Sequence, residues 1–196
     1  MTMSRTAYSN ILFSIEEIKK INKEIQTKYI TDKSIEDVGA SAVGTLKTSK
    51  VNYIPCLPMM ESLHPFISFI QGTNKMHFGY DLFFYWNIES FNYNEYEGKT
   101  KDEYNWHIDA TPNGSLRDVK LTCLLNLSED TYEGGDLLIF PEFDDPEKQE
   151  YNEIVGKFRT PGTAIIFHPG RPHKVMPVTK GKRITLTYWA EGPAWK

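Results

Sequence analysis

The sequence predicts a mainly β domain, a sandwich or barrel, with two helices packed on its outside. Three observations predict it. From about residue 104 onward, short apolar stretches recur and are cut by turn signals such as Gly134-Gly135, Pro161-Gly162, Pro169-Gly170 and Lys180-Gly181-Lys182. Upstream, two segments repeat apolar residues at three- and four-residue steps, the spacing of a helix face. The 196 residues are 40% hydrophobic and 13% aromatic, enough for one domain with its own core.

Taken in order, residues 1–11 are polar and carry no pattern. Residues 12–27 read as a helix, with Leu12, Ile15, Ile18, Ile21 and Ile25 on one side and Ser14 and Glu17 spaced as a capping box. Residues 28–55 lack periodicity and suit short edge strands or a loop. Residues 59–72 read as a second helix, delayed or kinked by Pro65 and stopped by Gly72. Residues 82–93 alternate aromatic and polar side chains and read as a strand, with residues 94–105 as the loop after it. Strands are then expected near 105–109, 118–127, 136–140, 153–159, 163–168, 173–178 and 182–190, with further turns at Pro112-Asn113-Gly114 and Asp144-Asp145-Pro146. The division expected is 1–80 as helical support and 81–196 as the β core of a single domain.

Two strands are two-faced. Over 183–190, Arg183, Thr185, Thr187 and Trp189 share one face, while Ile184, Leu186 and Tyr188 share the other. Over 119–127, Val119, Leu121, Cys123, Leu125 and Leu127 oppose Lys120, Thr122, Leu124 and Asn126. The apolar faces must pack on something, which the helices can supply. Polar faces turned into a barrel mouth would line a ligand cavity.

Composition narrows the function. A formal net charge of −4 gives no general drive toward nucleic acid or anionic membrane. Cys56 and Cys123 stand far apart in apolar surroundings and read as buried free thiols. No apolar run approaches the ~20 residues that span a bilayer, and no signal peptide is apparent. The expectation is a soluble, cytoplasmic protein. Gly134-Gly135 reads as a turn, since no helix pattern follows to make a phosphate loop. The acidic run Glu142 to Glu147 reads as a solvated loop.

The chemistry centres on His107 and Asp109. Two residues apart on a strand, they point the same way. His173 opens a later strand, and Arg183 follows it by ten residues on the next one. Two imidazoles and one carboxylate on one face of a metal leave coordination positions open, the arrangement of a non-haem Fe(II) oxygenase. The planar guanidinium of Arg183 suits a carboxylate, so a dicarboxylate could bridge metal and arginine. His64 and His77, in and after the second helix, read as surface or capping residues.

The second half of the chain resembles the Fe(II)- and 2-oxoglutarate-dependent dioxygenases, in their prolyl 4-hydroxylase-like branch. The residues that carry the resemblance are Tyr96, Tyr104-x-x-His107-x-Asp109, Leu121-Thr122, Leu127-Ser128 and Tyr132-Glu133-Gly134-Gly135-Asp136-Leu137. Pro161-Gly162-Thr163-Ala164 and His173-x-Val175-x-Pro177-Val178-x-x-Gly181-x-Arg183, with Trp189, complete the set. The resemblance implies a double-stranded β-helix, or jelly roll. It implies His107, Asp109 and His173 as iron ligands and Arg183 as partner of the distal 2-oxoglutarate carboxylate. It implies Tyr96 and Asn126 near the co-substrate, Asn126 standing where relatives often have tyrosine; Thr185 and Thr187 are co-substrate candidates because they share the face of Arg183. Thr122 is a weaker candidate. The Arg183 spacing fits His173 and not His168, which reads as a cavity-mouth or turn residue, placed where it could also tune the site as a donor behind a ligand.

The implied reaction consumes O2 and 2-oxoglutarate, releases succinate and CO2, and hydroxylates an unactivated C–H bond. Ascorbate is the accessory reductant such a centre would use. A prolyl residue in a peptide or protein is the expected substrate. A free amino acid, small metabolite or nucleobase is the alternative, and the loops 94–105 and 142–150 are where the choice would be made. A zinc hydrolase or a non-catalytic metal-binding jelly roll would use the same three ligands but leave Arg183 without a role.

Overall fold

The computed structural model describes residues 7–30, 35–36, 39–41, 44–109, 116–140, 156 and 158–195. In the N-terminal part, strand β1 (Ala7–Ile11) leads into helix α1 (Ile15–Lys28), followed by β2 (Ile35–Glu36), β3 (Gly39–Ser41), β4 (Gly44–Lys47) and β5 (Lys50–Pro55). A 3-10 turn over Leu57–Met59 precedes α2 (His64–Thr73). The remaining strands are β6 (Ser90–Glu97), β7 (Tyr104–His107), β8 (Arg117–Asn126), β9 (Glu133–Gly134), β10 (Leu137–Ile139), β11 (Thr163–Phe167), β12 (His173–Val175), β13 (Val178–Lys180) and β14 (Lys182–Pro193).

Two sheets make the body. A seven-stranded sheet runs β1-β11-β8-β14-β6-β5-β2, and a five-stranded sheet runs β10-β12-β7-β4-β3. The ribbon β13-β9 stands beside them. Neighbouring strands pair antiparallel, as in β14 with β8 and β12 with β7. This is the jelly-roll sandwich, with strands contributed alternately to two facing sheets.

The two-faced strands explain the layers. Leu121, Cys123, Leu125, Leu186 and Tyr188 turn outward and pack with Ile18, Ile21 and Ile25 of α1 and Phe66, Ile67 and Ile70 of α2. Burying each such aliphatic side chain contributes about 1.5–3 kcal/mol. The opposite face meets the smaller sheet through Leu124, Ile165, Phe167, Leu137, Ile139 and Val175. The capping box forms as expected: Glu17 N–H donates to Ser14 Oγ, and Ser14 N–H donates to the Glu17 carboxylate at 2.7 Å. Buried Asn22 of α1 donates to the Leu127 carbonyl at 2.8 Å and ties the helix to the end of β8.

Several expectations need correction. Residues 7–11 form β1, which pairs with β11 at the sheet edge. Its side chains are mixed in polarity because only part of an edge strand is covered. The first 80 residues are not purely helical support, since β1 and β5 join the large sheet and β4 the small one. Pro65 does start α2 late, at His64, but Gly72 does not stop it; the helix passes into a π turn over Asn74–Phe78 and ends at Gly79, whose φ is 69°.

The strand expected over 82–93 begins only at Ser90. Upstream of it, Tyr80, Leu82 and Trp86 pack on the helical side of the core. The backbone meets β14 through Phe83 N–H to the Glu191 carbonyl. There it passes so close that a Cβ on Gly192 would lie 2.0 Å from the Asp81 carbonyl oxygen. The loop expected over 94–105 is shorter, because β6 runs to Glu97 and β7 starts at Tyr104. The strand expected at 173–178 is two strands, β12 and β13. Of the strand expected at 153–159, Phe158 and Arg159 lie in a turn and the rest, apart from residue 156, falls outside the described residues. The turn at 112–114 and the acidic loop 142–150 also fall outside them.

Candidate metal centre and anion pocket

His107 ends β7, Asp109 follows it, and His173 opens β12. The antiparallel register sets His173 directly opposite His107, so residues 66 apart in sequence become cross-strand neighbours. Asp109 is drawn to them by its own N–H, which donates to the Pro169 carbonyl at 2.9 Å. His107 Nε2 lies 3.7 Å from Asp109 Oδ1, and His173 Nε2 lies 3.4 Å from Asp109 Oδ2. One ligand atom from each residue lies within 4.8 Å of the others, a cluster that could hold a metal ion.

Hydrogen bonds select the ligand atoms. His107 Nδ1 is 2.7 Å from the Asn105 carbonyl, and His173 Nδ1 is 2.8 Å from the Arg171 carbonyl. A carbonyl only accepts, so each Nδ1 carries a proton and each Nε2 is left facing Asp109 as the ring atom that could take a metal. Two ring nitrogens converging on one carboxylate suit a positive charge between them, a proton or a metal ion. Tyr104 stacks on the His107 ring at 3.4 Å and holds its plane. Burial, and then the neighbouring His173, push the His107 imidazole down to about 4. Burial works against the Asp109 carboxylate, but the facing His173 and the Thr122 hydroxyl, donating at 2.7 Å, outweigh it and lower its pKa. The site therefore offers a neutral His107 imidazole and an ionised Asp109 carboxylate at neutral pH, the states metal binding needs.

The same cavity reaches Arg183, Tyr96, Thr185, Thr187, Asn94, Lys47 and Trp189. Arg183 is 1% exposed. Its Nη1 reaches Thr185 Oγ1 only at 3.5 Å, and its Nε and Nη2 have no hydrogen-bond partner among the described residues. The rings of Tyr96 and Phe158 flank it at 5.1 and 5.6 Å. Gly135, at φ 66°, leaves the room it needs, since a Cβ there would come within 3.0 Å of Arg183 Cδ. A buried guanidinium with two unpartnered donor nitrogens is costly in isolation and calls for an anion. A carboxylate of 2-oxoglutarate has the charge and the planar pair of acceptors to meet it.

Of the residues singled out in sequence, the structure brings together His107, Asp109, His173, Arg183, Tyr96, Thr185 and Thr187. Asn126 is the exception. Its amide donates to the carbonyls of Phe158 and Arg159 at 2.8 and 3.1 Å, and its carbonyl accepts from Ser128 N–H at 2.9 Å. It tethers a turn and does not line the cavity. Thr122 touches Asp109 and not the co-substrate side. Lys47 had no motif to mark it: it sits in the wall, 6% exposed, its ammonium donating to Asn94 Oδ1 at 3.1 Å and lying over the Tyr104 ring. Trp189, known in sequence only as part of a pattern, also lines this wall, and its buried indole N–H has no partner among the described residues.

A two-histidine, one-carboxylate cluster inside a double-stranded β-helix, next to an anion pocket, defines a non-haem metal protein of the jelly-roll class. Residues 91–191 match the 2OG-Fe(II) oxygenase superfamily, and the chain belongs to that family, whose cofactors are Fe(II) and 2-oxoglutarate. A PKHD-type hydroxylase of Synechococcus sp. (strain CC9605) is 36% identical over 93 residues, which are 46% of this chain and 37% of that protein. The chain spans between 37% and 42% of the length of the curated relatives it matches. Among solved structures, a Pseudomonas putida prolyl-4-hydroxylase superposes with a TM-score of 0.65 at 15% identity, over 97% of this chain and 95% of that one. A Trichoplax adhaerens prolyl hydroxylase, in complex with a hypoxia inducible factor peptide fragment, gives 0.63 at 19% identity over 94% and 83%. At those identities the likeness concerns the fold. No helix among the described residues is long and apolar enough to cross a membrane.

Proposed function

We propose that this chain is an Fe(II)- and 2-oxoglutarate-dependent dioxygenase that hydroxylates a prolyl residue in a peptide or protein. The observation that carries the dioxygenase reading is Arg183, a buried cation with unpartnered Nε and Nη2 in the cavity that also holds the His107, Asp109 and His173 cluster. A hydrolase or a simple metal-binding module has no use for it. Hydroxylation is supported by the names of the relatives, and the prolyl substrate by those of the structural neighbours.

In this reading His107 Nε2, His173 Nε2 and Asp109 hold the iron, and Arg183 holds the distal carboxylate of 2-oxoglutarate. Iron, 2-oxoglutarate and O2 together supply the oxidative decarboxylation that drives C–H hydroxylation. The chain's own residues bind and orient. Thr122 fixes the Asp109 carboxylate, Tyr104 fixes the His107 ring, and Tyr96 with Phe158 keeps water from the guanidinium. Leu124, Leu137 and Val175 make the rest of the wall apolar. A cytoplasmic, reducing setting belongs to the same reading and is supported by the two buried free thiols.

The test is succinate release with Fe(II) and 2-oxoglutarate against Pro-containing peptides, free proline and oligonucleotides. Peptide-dependent succinate with hydroxyproline in the product is expected. Release driven only by free proline or oligonucleotides would overturn the substrate, and no release with any of them, together with no visible charge-transfer band from anaerobic Fe(II) and 2-oxoglutarate, would overturn the dioxygenase reading.

A further inference from the structure

We propose that His168 is a positioning residue for the metal centre, acting through the turn that carries Pro169 and Arg171. The proposal rests on His107, Asp109 and His173 being the metal ligands.

That turn serves two of the three ligands. The Pro169 carbonyl accepts Asp109 N–H at 2.9 Å, and the Arg171 carbonyl accepts His173 Nδ1–H at 2.8 Å. The first bond sets where the carboxylate begins; the second sets which way the imidazole faces. A shift of the turn would move both ligands at once.

His168 shapes the turn from within. Its Nδ1 accepts Gly170 N–H at 3.1 Å, and its carbonyl accepts Arg171 N–H at 3.0 Å. The ring sits between Tyr80, edge-on at 6.3 Å, and Trp195, at 6.2 Å. Trp195 is itself held, by Tyr80 at 5.3 Å, by Lys120 over its face at 3.2 Å and by its N–H to Asp118. The aromatic bracket thus fixes the imidazole, and the imidazole fixes Gly170. Gly170 allows the contact: a Cβ there would stand 3.1 Å from His168 Nδ1 and 3.2 Å from Cε1.

The geometry matches that of an asparagine bonding the N–H two residues on, so Nδ1 takes the place of an amide oxygen. This separates positioning from packing. His168→Asn keeps the acceptor and loses the ring; His168→Phe keeps a ring and loses the acceptor.

The experiment measures Co(II) affinity by its visible absorption, with thermal stability in parallel, in wild type, His168→Asn, His168→Phe and Gly170→Ala. The expected result is Co(II) binding weakened about tenfold in His168→Phe and near wild type in His168→Asn, the size seen when groups behind a ligand are lost. Gly170→Ala, which crowds the imidazole, is expected to weaken binding with little change in stability. If His168→Phe does not fold, Gly170→Ala against His168→Asn decides. Affinities within twofold of wild type in the folded variants that lose or crowd the acceptor would overturn the proposal. Wild type that binds no Co(II) would overturn the metal-site reading beneath it.

Discussion

His107 and His173 are cross-strand partners, their rings 4.1 Å apart because β7 and β12 pair in a register that sets one opposite the other. The candidate metal cluster is therefore a product of strand pairing. Asp109 joins it from beyond the end of β7, through a backbone bond to Pro169.

Loss of a ligand should abolish metal binding without unfolding the chain. His107 and Asp109 sit at the end of a strand and beyond it, and neither is a member of the two apolar clusters. His107→Ala and Asp109→Ala are expected to bind Fe(II) or Co(II) at least about a hundredfold more weakly, more than is lost with a supporting group. Circular dichroism should stay native. Iron-dependent turnover retained in either variant would refute the assignment.

Arg183 should trade stability against co-substrate binding. Its guanidinium is buried without a charged partner among the described residues, so Arg183→Met is expected to leave the ligand-free protein as stable or about 1–3 kcal/mol more stable. The same variant should lose about 2–5 kcal/mol of 2-oxoglutarate affinity. Thermal melts read both: 2-oxoglutarate with Mn(II) should raise the wild-type melting temperature and leave that of the variant nearly where Mn(II) alone puts it. Equal stabilisation in both proteins would make Arg183 a structural residue.

Thr122 gives a finer test of the carboxylate. Thr122→Val removes the 2.7 Å bond to Asp109 Oδ2 and keeps the shape. Metal affinity should fall about tenfold with 2-oxoglutarate affinity unchanged. A change confined to 2-oxoglutarate would move Thr122 to the co-substrate side.

The metal-free protein should lose stability in mild acid through His107. Its imidazole is pushed down to about 4 in the folded state, against ~6.5 in the unfolded chain. Between those values the unfolded chain binds the extra proton, so stability rises with pH across the window and falls on acidification. At pH 5 the loss is on the order of 1 to 2 kcal/mol relative to pH 7.5. His107→Leu should flatten that part of the profile in urea titrations, and an unchanged slope would exclude His107 as its source.

Much of the fold was legible in side-chain periodicity. The alternation over 183–190 separated Arg183, Thr185, Thr187 and Trp189 from Ile184, Leu186 and Tyr188, and the sheet puts the first set in the cavity and the second on the helical side. Alternation misled over 82–93, where aromatic residues pack irregularly and the backbone crosses β14 too closely to pair as a strand. Edge strand β1 was illegible, because an edge has no fully buried face to impress a pattern on its residues.

The candidate site divides the same way. The residue types of the candidate site, the His107-x-Asp109 spacing and the separation of His173 from Arg183 could be read from local sequence, because these follow from strand periodicity and a shared motif. Which ring atoms face the centre is set by folding, through the Asn105 and Arg171 carbonyls. Folding also brought Lys47 into the wall and turned Asn126 away to a loop. Those outcomes depend on strand register and on the competition of distant backbone groups for each polar side chain, and neither leaves a trace in local sequence.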